Sequence, residues 1–328
     1  MSARACLLAT LVILMIGQIG TAGAQLLLEG KIPLGSVSGR IDHLAIDLKR
    51  QRLFVAELGN GSVGVVDLAG GKLQNTMIGF KEPQGIGVEP ASDAIYIAIA
   101  GDGSVRIARA EDLTLLGRIE LGDDADNVRI DRAHQRVLVG FGKGGLAVID
   151  ARNQKKIGDI PLKAHPESFQ LDETGDHAWV NLPDAERIQV VDLAKGALAA
   201  SLPTQGHRGN FPMALDQDAQ RLFVVFRHPA RLLVLALSDH SVVSDLETCG
   251  DADDVFVDHK RQRVYVVCGE GLVDIFEDSG GKIQRISQTP TVPGARTGLF
   301  VPGLDRLFVA VRATAPEPAA IWVLRPAQ

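Results

Sequence analysis

One motif recurs at a nearly constant interval along the chain, and a recurrence of this kind limits the fold more than any local pattern. An apolar-x-apolar-Asp run, a turn and an Arg-apolar-aromatic-Val run read IDHLAIDLKRQRLFV at 41–55 and ADNVRIDRAHQRVLV at 125–139. They return as NFPMALDQDAQRLFV at 210–224 and ADDVFVDHKRQRVYV at 252–266, with more divergent copies beginning at Pro83, Pro166 and Arg296. The anchoring acids are Asp47, Glu89, Asp131, Asp172, Asp216 and Asp258, with Pro302 in the seventh register, and their spacing stays between 41 and 44 residues. Each unit continues with a third run rich in β-branched residues, such as SVGVVDL (62–68) or IQVVDL (188–193), and a fourth such as LLGRIELG (115–122). Four antiparallel strands in about 40 residues make a propeller blade. The chain is therefore predicted to be all-β, a seven-bladed β-propeller of four-stranded antiparallel blades occupying residues 25–328 as one domain.

The seventh unit supplies only three such runs, the last being AIWVL (320–324), whereas LLLEGKIPLG (26–35) matches the fourth-strand pattern and precedes the first unit. The amino-terminal strand is thus expected to close the last blade, covering two sheet edges that would otherwise invite aggregation.

Ahead of that strand, Arg4 precedes an apolar run from Ala5 to Ile19, and Ala22-Gly23-Ala24 has the small-x-small pattern of a signal-peptidase site. Residues 1–24 are predicted to be a signal peptide cleaved near Ala24, which makes the mature protein periplasmic or secreted. No later stretch reaches the ~20 apolar residues a membrane span needs. Loss of Arg4 takes the formal charge from -6 to -7. A nucleic-acid-binding surface needs a basic excess to neutralise phosphates, so a nucleic-acid partner is not expected.

The repeat LFVAELGNGSVGVVDLAGGKLQNTMIG (53–79) resembles the YncE-like, YVTN-type β-propellers of the bacterial periplasm, and the resemblance extends over the whole mature chain. The YVTN tetrapeptide is approximated by LFVAE, IYIAI and VYVVC. What the resemblance implies is an exported propeller that binds a ligand or a macromolecule, without specifying any activity.

Acids and arginines that recur in every unit are read as structural. Asp47 with Arg52, Asp131 with Arg136, Asp216 with Arg221 and Asp258 with Arg263 are expected to cap the first hairpin turn and pair across it. Function belongs where the units differ. Five residues before each anchor, at one mouth of the channel, stand Asp42, Gln84, Asp126, Glu167, Phe211, Asp253 and Thr297, and the next position adds His43, Asn127 and Asp254. As exposed carboxylates, Asp42 and Asp253 are expected to contribute little to folding. With Arg296, these polar residues form the candidate ligand site, suited to a cation, a basic group, a polyol or a small anion. His165, His207 and His228, together with Arg40, Arg208, Arg227 and Arg312, are expected on the same face.

No cofactor is required by this pattern, although His43, Asp42 and Asp253 offer the nitrogen and oxygen donors of a divalent-metal site. No Gly-x-Ser-x-Gly, His-Glu-x-x-His or Cys-x-x-Cys-His motif is present. The leading expectation is a monomeric ligand- or partner-binding scaffold, taking a small polar ligand or a protein segment at the mouth. The alternative is a metal-dependent, lactonase-like hydrolase or lyase using His43 and the carboxylates. Cys249 and Cys268, the only cysteines after Ala24, should reach one face of the sixth unit, where an oxidising compartment would join them; a pair of free thiols is the competing reading.

Overall fold

The computed structural model describes residues 25–327; the predicted signal peptide lies outside them. The strands form seven four-stranded sheets, each antiparallel and each ordered as in the chain, except the last. Blades 1 to 6 span residues 44–78, 83–120, 125–161, 169–203, 208–247 and 252–290. Blade 7 combines Gly298–Val301, Arg306–Val311 and Ala320–Pro326 with Leu26–Pro33, the latter pairing antiparallel with Ala320–Pro326 from Leu26 opposite Pro326 to Pro33 opposite Ala320. Innermost strands touch in chain order, and that of blade 7 touches that of blade 1, so the sheets form a ring.

Period-2 alternation explains why the ring holds. In Ala94–Ile99, the side chains of Ile95, Ile97 and Ile99 pack toward blade 1, while Ala94, Tyr96 and Ala98 pack toward blade 3. The buried apolar residues of the molecule fall into seven clusters, and every cluster bridges a seam between two neighbouring blades. At ~1.5–3 kcal/mol for each large apolar side chain fully buried, these seams dominate the favourable energy. Nearest the axis the backbones themselves approach. A Cβ at Gly85 would lie 2.1 Å from the Asp126 carbonyl oxygen, so this register of blade 2 accepts glycine alone.

The recurring acids do cap their turns: Arg50 N donates to Asp47 Oδ1, His134 N to Asp131 Oδ1, and Ala219 N to Asp216 Oδ1. The expected hairpin ion pairs are a different matter. Arg136 meets its own Asp131, at 2.7 Å. Asp47 instead binds Arg50 and Asp258 binds Arg261. Although each arginine sits opposite its acid in the strand register, it reaches across the seam to the next blade. Arg52 donates to the Ala110 and Glu111 carbonyls, Arg136 to that of Gly175 and Arg263 to that of Ala327, and Arg221 lies 3.4 Å from Asp278. A guanidinium is long enough to span the seam, and a main-chain carbonyl there needs a donor.

In blade 6, Cys249 precedes the innermost strand Ala252–Asp258 and Cys268 ends the next strand, Arg263–Cys268. The two are joined by a disulfide, with Cα atoms 5.9 Å apart, because the segment 249–251 folds back beside the Ala252 to Cys268 pairing. The bond closes a 19-residue interval that contains Asp253, four residues after Cys249.

Two outcomes follow from this architecture. Deleting residues 25–35 should leave Ala320–Pro326 with an open edge, lowering the melting temperature and producing aggregates by light scattering; an unchanged melting curve in a monodisperse protein would contradict the closure. Thiol titration of the denatured, unreduced protein should find no reactive thiol. Reduction should cost about 3 kcal/mol in denaturant-unfolding stability, the entropy of freeing a loop of this length.

Candidate functional site

At one mouth of the channel lies a cavity of about 230 Å³, walled by the residues that lead into the innermost strands. Asp126, Glu167, Asp253, Gln84, Arg296 and Phe211, all placed at this mouth by the repeat register, line it together with Arg40, Asp124, His165 and Arg227. Asp42, His43, Asn127 and Asp254 adjoin it rather than lining it. Asp42 and Asn127 are each only 1% exposed, and Asp254 Oδ2 accepts a hydrogen bond from Gly298 N at 2.8 Å. The expectation that Asp42 and Asp253 are exposed is therefore incorrect. The inward lean of seven strand ends leaves little room for water: Asp42 is buried and Asp253 is half-buried, with cations packed on both.

Each of these acids has its own partner. Asp42 meets Arg40 at 2.8 Å, and Asp253 is held from two sides, by Arg296 Nε at 2.9 Å and by Arg227 Nη2 at 2.5 Å. Arg227 is fixed in turn by the Ala252 carbonyl and by stacking 3.7 Å over the Phe211 ring. Asp126 lies 4.0 Å from the imidazoles of both His43 and His165, while His165 Nδ1 donates to the Gly142 carbonyl. Even so, Asp126 Oδ1 and Asn127 Oδ1 are buried without a hydrogen bond.

Glu167 stands apart. Among the described residues, no hydrogen bond or ion pair reaches its carboxyl group. Burial and the neighbouring Asp126 charge push it up to about 8. Burial likewise lifts Asp254 to about 7, against the pull of His43 and the Gly298 amide. For His165, burial alone would favour the neutral ring, but Asp126, the Gly142 carbonyl and Asp124 outweigh it and raise the group to about 9. His43 is raised in the same way, with Asp42 as the leading opponent of burial. Asp126 is held below the usual carboxylate range because His165 and His43 outweigh its desolvation. At the opposite edge, Arg312 has no ion-pair partner among the described residues. Its proton affinity is lowered by burial and by the nearby guanidiniums of Arg296 and Arg40.

Not every residue assigned to this face reaches the cavity. Arg208 is exposed and pairs with Glu186, His207 pairs with Asp245 on an outermost strand, and His228 is exposed. Asp42, His43 and Asp253 are each engaged elsewhere. Among the described residues, no group of three His, Cys, Asp or Glu side chains is arranged to hold a metal ion. Two participants are new. Asp124 lines the cavity, and Arg129, half-buried, has its guanidinium 5.4 Å from the Phe169 ring and lies near the charges of Asp254 and Asp126. Asp124 was detectable: it lies two residues before Asp126, the same offset that relates Arg40 to Asp42 and His165 to Glu167.

By sequence the chain matches no protein-family model and no curated protein. Many solved structures resemble it, two of them as follows. The hydrazine synthase of Kuenenia stuttgartiensis is 15% identical with a TM-score of 0.76, over 88% of this chain and 96% of that one. A chain in the crystal structure of a mitotic checkpoint complex is 12% identical with a TM-score of 0.78, over 99% and 100%. The likeness is one of fold. Among the described residues, no helix is long and apolar enough to cross a membrane.

The shifted groups set a pH dependence. Glu167 and Asp254 keep protons in the folded chain that the unfolded chain has released, so each subtracts stability as pH rises, from 4.5 to about 8 for Glu167 and from 3.8 to about 7 for Asp254. His165 adds stability that is complete below 6.5 and gone above about 9. The melting temperature should therefore fall between about pH 5 and 9, and Glu167→Gln should flatten the fall below pH 8. A flat or rising profile for the unmodified protein would contradict these assignments.

Proposed function

We propose that this protein is an exported, monomeric, YncE-like propeller that binds a small polar ligand in the channel mouth. The supporting observation is the cavity itself, whose walls place four carboxyl groups, three guanidinium groups and one imidazole around about 230 Å³. Blade packing needs none of these groups, because the apolar clusters already fill the seams. A pocket for a drug-sized ligand spans ~300–1,000 Å³ and is largely apolar, so this one suits a smaller, hydrogen-bonding compound. Phe211 is the one aromatic ring in the wall, and Arg227 already covers it. Recognition then rests on charge and hydrogen bonding. Export is supported by the apolar run and small-x-small site of the first 24 residues, and by the oxidised Cys249–Cys268 pair.

Native mass spectrometry of the protein purified from its own cell envelope is the direct check. A bound compound of a few hundred daltons or less should appear on the wild-type chain and be lost from Gln84→Trp, in which an indole fills the cavity. An unliganded wild type, or a bound mass that survives Gln84→Trp, would defeat this reading.

A further inference from the structure

Charge is not spread evenly round the mouth. Blades 2, 3 and 4 contribute Gln84, Asp124, Asp126, His165 and Glu167, whereas Arg40, Arg227 and Arg296 come from the segments of blades 1, 5 and 7. Among the described residues, one acid and one base are left without an ion pair: Glu167 in blade 4, and Arg312 just after the second strand of blade 7. In a closed ring of seven, blade 4 is as far round the axis as possible from both blade 7 and blade 1. Glu167 lines the cavity, and Arg312 stands beside Arg40 and Arg296 on the far side of the axis, next to the wall rather than in it. Arg40 stands on the same side as Arg312, half-exposed and bonded to Asp42 through Nη2, with its Nε unpartnered.

A second observation points to a missing partner on the acidic side. Asp126 lines the cavity and is only 5% exposed, yet its Oδ1 accepts no hydrogen bond. A buried carboxylate oxygen normally finds a donor, and one left without carries a desolvation cost. An ammonium group between Glu167 and Asp126 would supply donors to both. It would also give the Glu167 carboxyl a reason to ionise, where now its proton is retained at neutral pH.

We propose that the ligand is a compact zwitterion of amino-acid size, its ammonium group bound by Glu167 and Asp126 and its carboxylate by Arg40 and Arg312. The inference rests on the ligand-binding reading above and narrows it to one chemical class. Opposed charges at the two ends of one small cavity select a molecule that carries both. A lone anion or a lone cation satisfies half the site and leaves the other half unpaired, and that asymmetry is the source of discrimination. Arg296 and Arg227 are already ion-paired with Asp253 and Asp251. Binding is accompanied by release of the Glu167 proton, so affinity rises with pH up to the point where that carboxyl ionises in the free protein.

Isothermal titration near pH 7 with glycine, L-alanine and L-serine, and with the half-ligands propionate and ethylamine, tests this. At least one of the three zwitterions should bind at least about tenfold more tightly than either half-ligand, since each end adds a charge-assisted contact. Repeating the titration in buffers of different ionisation enthalpy should show close to one proton released per zwitterion bound. Glu167→Gln should weaken zwitterion and ethylamine but not propionate, and should abolish proton release. Arg312→Gln should weaken zwitterion and propionate but not ethylamine. Neither residue has an ion pair to lose, so both variants should keep the wild-type fold by circular dichroism. Half-ligands that bind as well as the zwitterions, a Glu167→Gln protein that binds zwitterions normally, or no binding of any probe would each overturn the proposal. In the last case a small molecule found by native mass spectrometry would leave the ligand-binding reading standing, and its absence would remove both.

Discussion

The seam between neighbouring blades is the constraint on which everything else depends. A blade strand shows alternate side chains to opposite faces, and in a ring both faces are interior. Ile95, Ile97 and Ile99 cannot be buried without blade 1, nor Tyr96 without blade 3. A blade therefore has no stable surface of its own, and the ring must close for any seam to be worth forming. This explains why Leu26–Pro33 joins the last sheet although it is the first strand described. Without it, the 6–7 seam would lose Leu26 and the 7–1 seam would lose Ile32, so both faces of blade 7 would be underfilled.

Closure has a second effect at the axis. The innermost strands converge until main chains nearly touch, as at Gly85, and the residues that begin those strands are forced into a small volume whatever their chemistry. Seven apolar residues there would plug the channel. This chain places carboxylates and guanidiniums instead, and their burial then requires pairing. The Asp42–Arg40 and Asp253–Arg227–Arg296 groups are the result. The disulfide between Cys249 and Cys268 anchors the segment that carries Asp251 and Asp253, which keeps two of the acids fixed against their arginines. The mouth is thereby preorganised.

How much of this was legible in the sequence divides along physical lines. Strand number, order and closure follow from local periodicity, because a period-2 run of β-branched residues bounded by turns has few other uses, and the register put Asp42, Asp126, Glu167 and Asp253 at one mouth. Partner choice did not follow. Arg52 stands directly opposite Asp47 in the strand register, yet donates to Ala110 and Glu111, because a flexible side chain selects among all acceptors within reach, including those contributed by another blade. Burial at the axis was also hidden. Nothing in a string of residues says that seven strand ends will crowd together, so Asp42 reads as exposed and is almost wholly buried. Arg129 was missed for the same reason: it occupies the register of Ala45 and Gly87, a blade-packing position, and is half-buried against Phe169.

The directions of the pKa shifts separate the groups at the mouth that support the fold from those that oppose it. If its charges served stability, each would be paired and each acid would be held below its ordinary range, as Asp126 is. Glu167 and Asp254 are instead raised, which means that their ionised forms weaken the fold at neutral pH. Arg312 is shifted down, again against its charged form. A glutamine at 167 would keep the polar contact area and avoid the cost. The seams supply enough stability for the ring to tolerate such groups, and they stand at the one place where seven blades leave a cavity. A cationic group placed beside Glu167 would have to displace its proton, so part of that interaction goes to ionising the carboxyl and the contact strengthens as pH rises toward about 8.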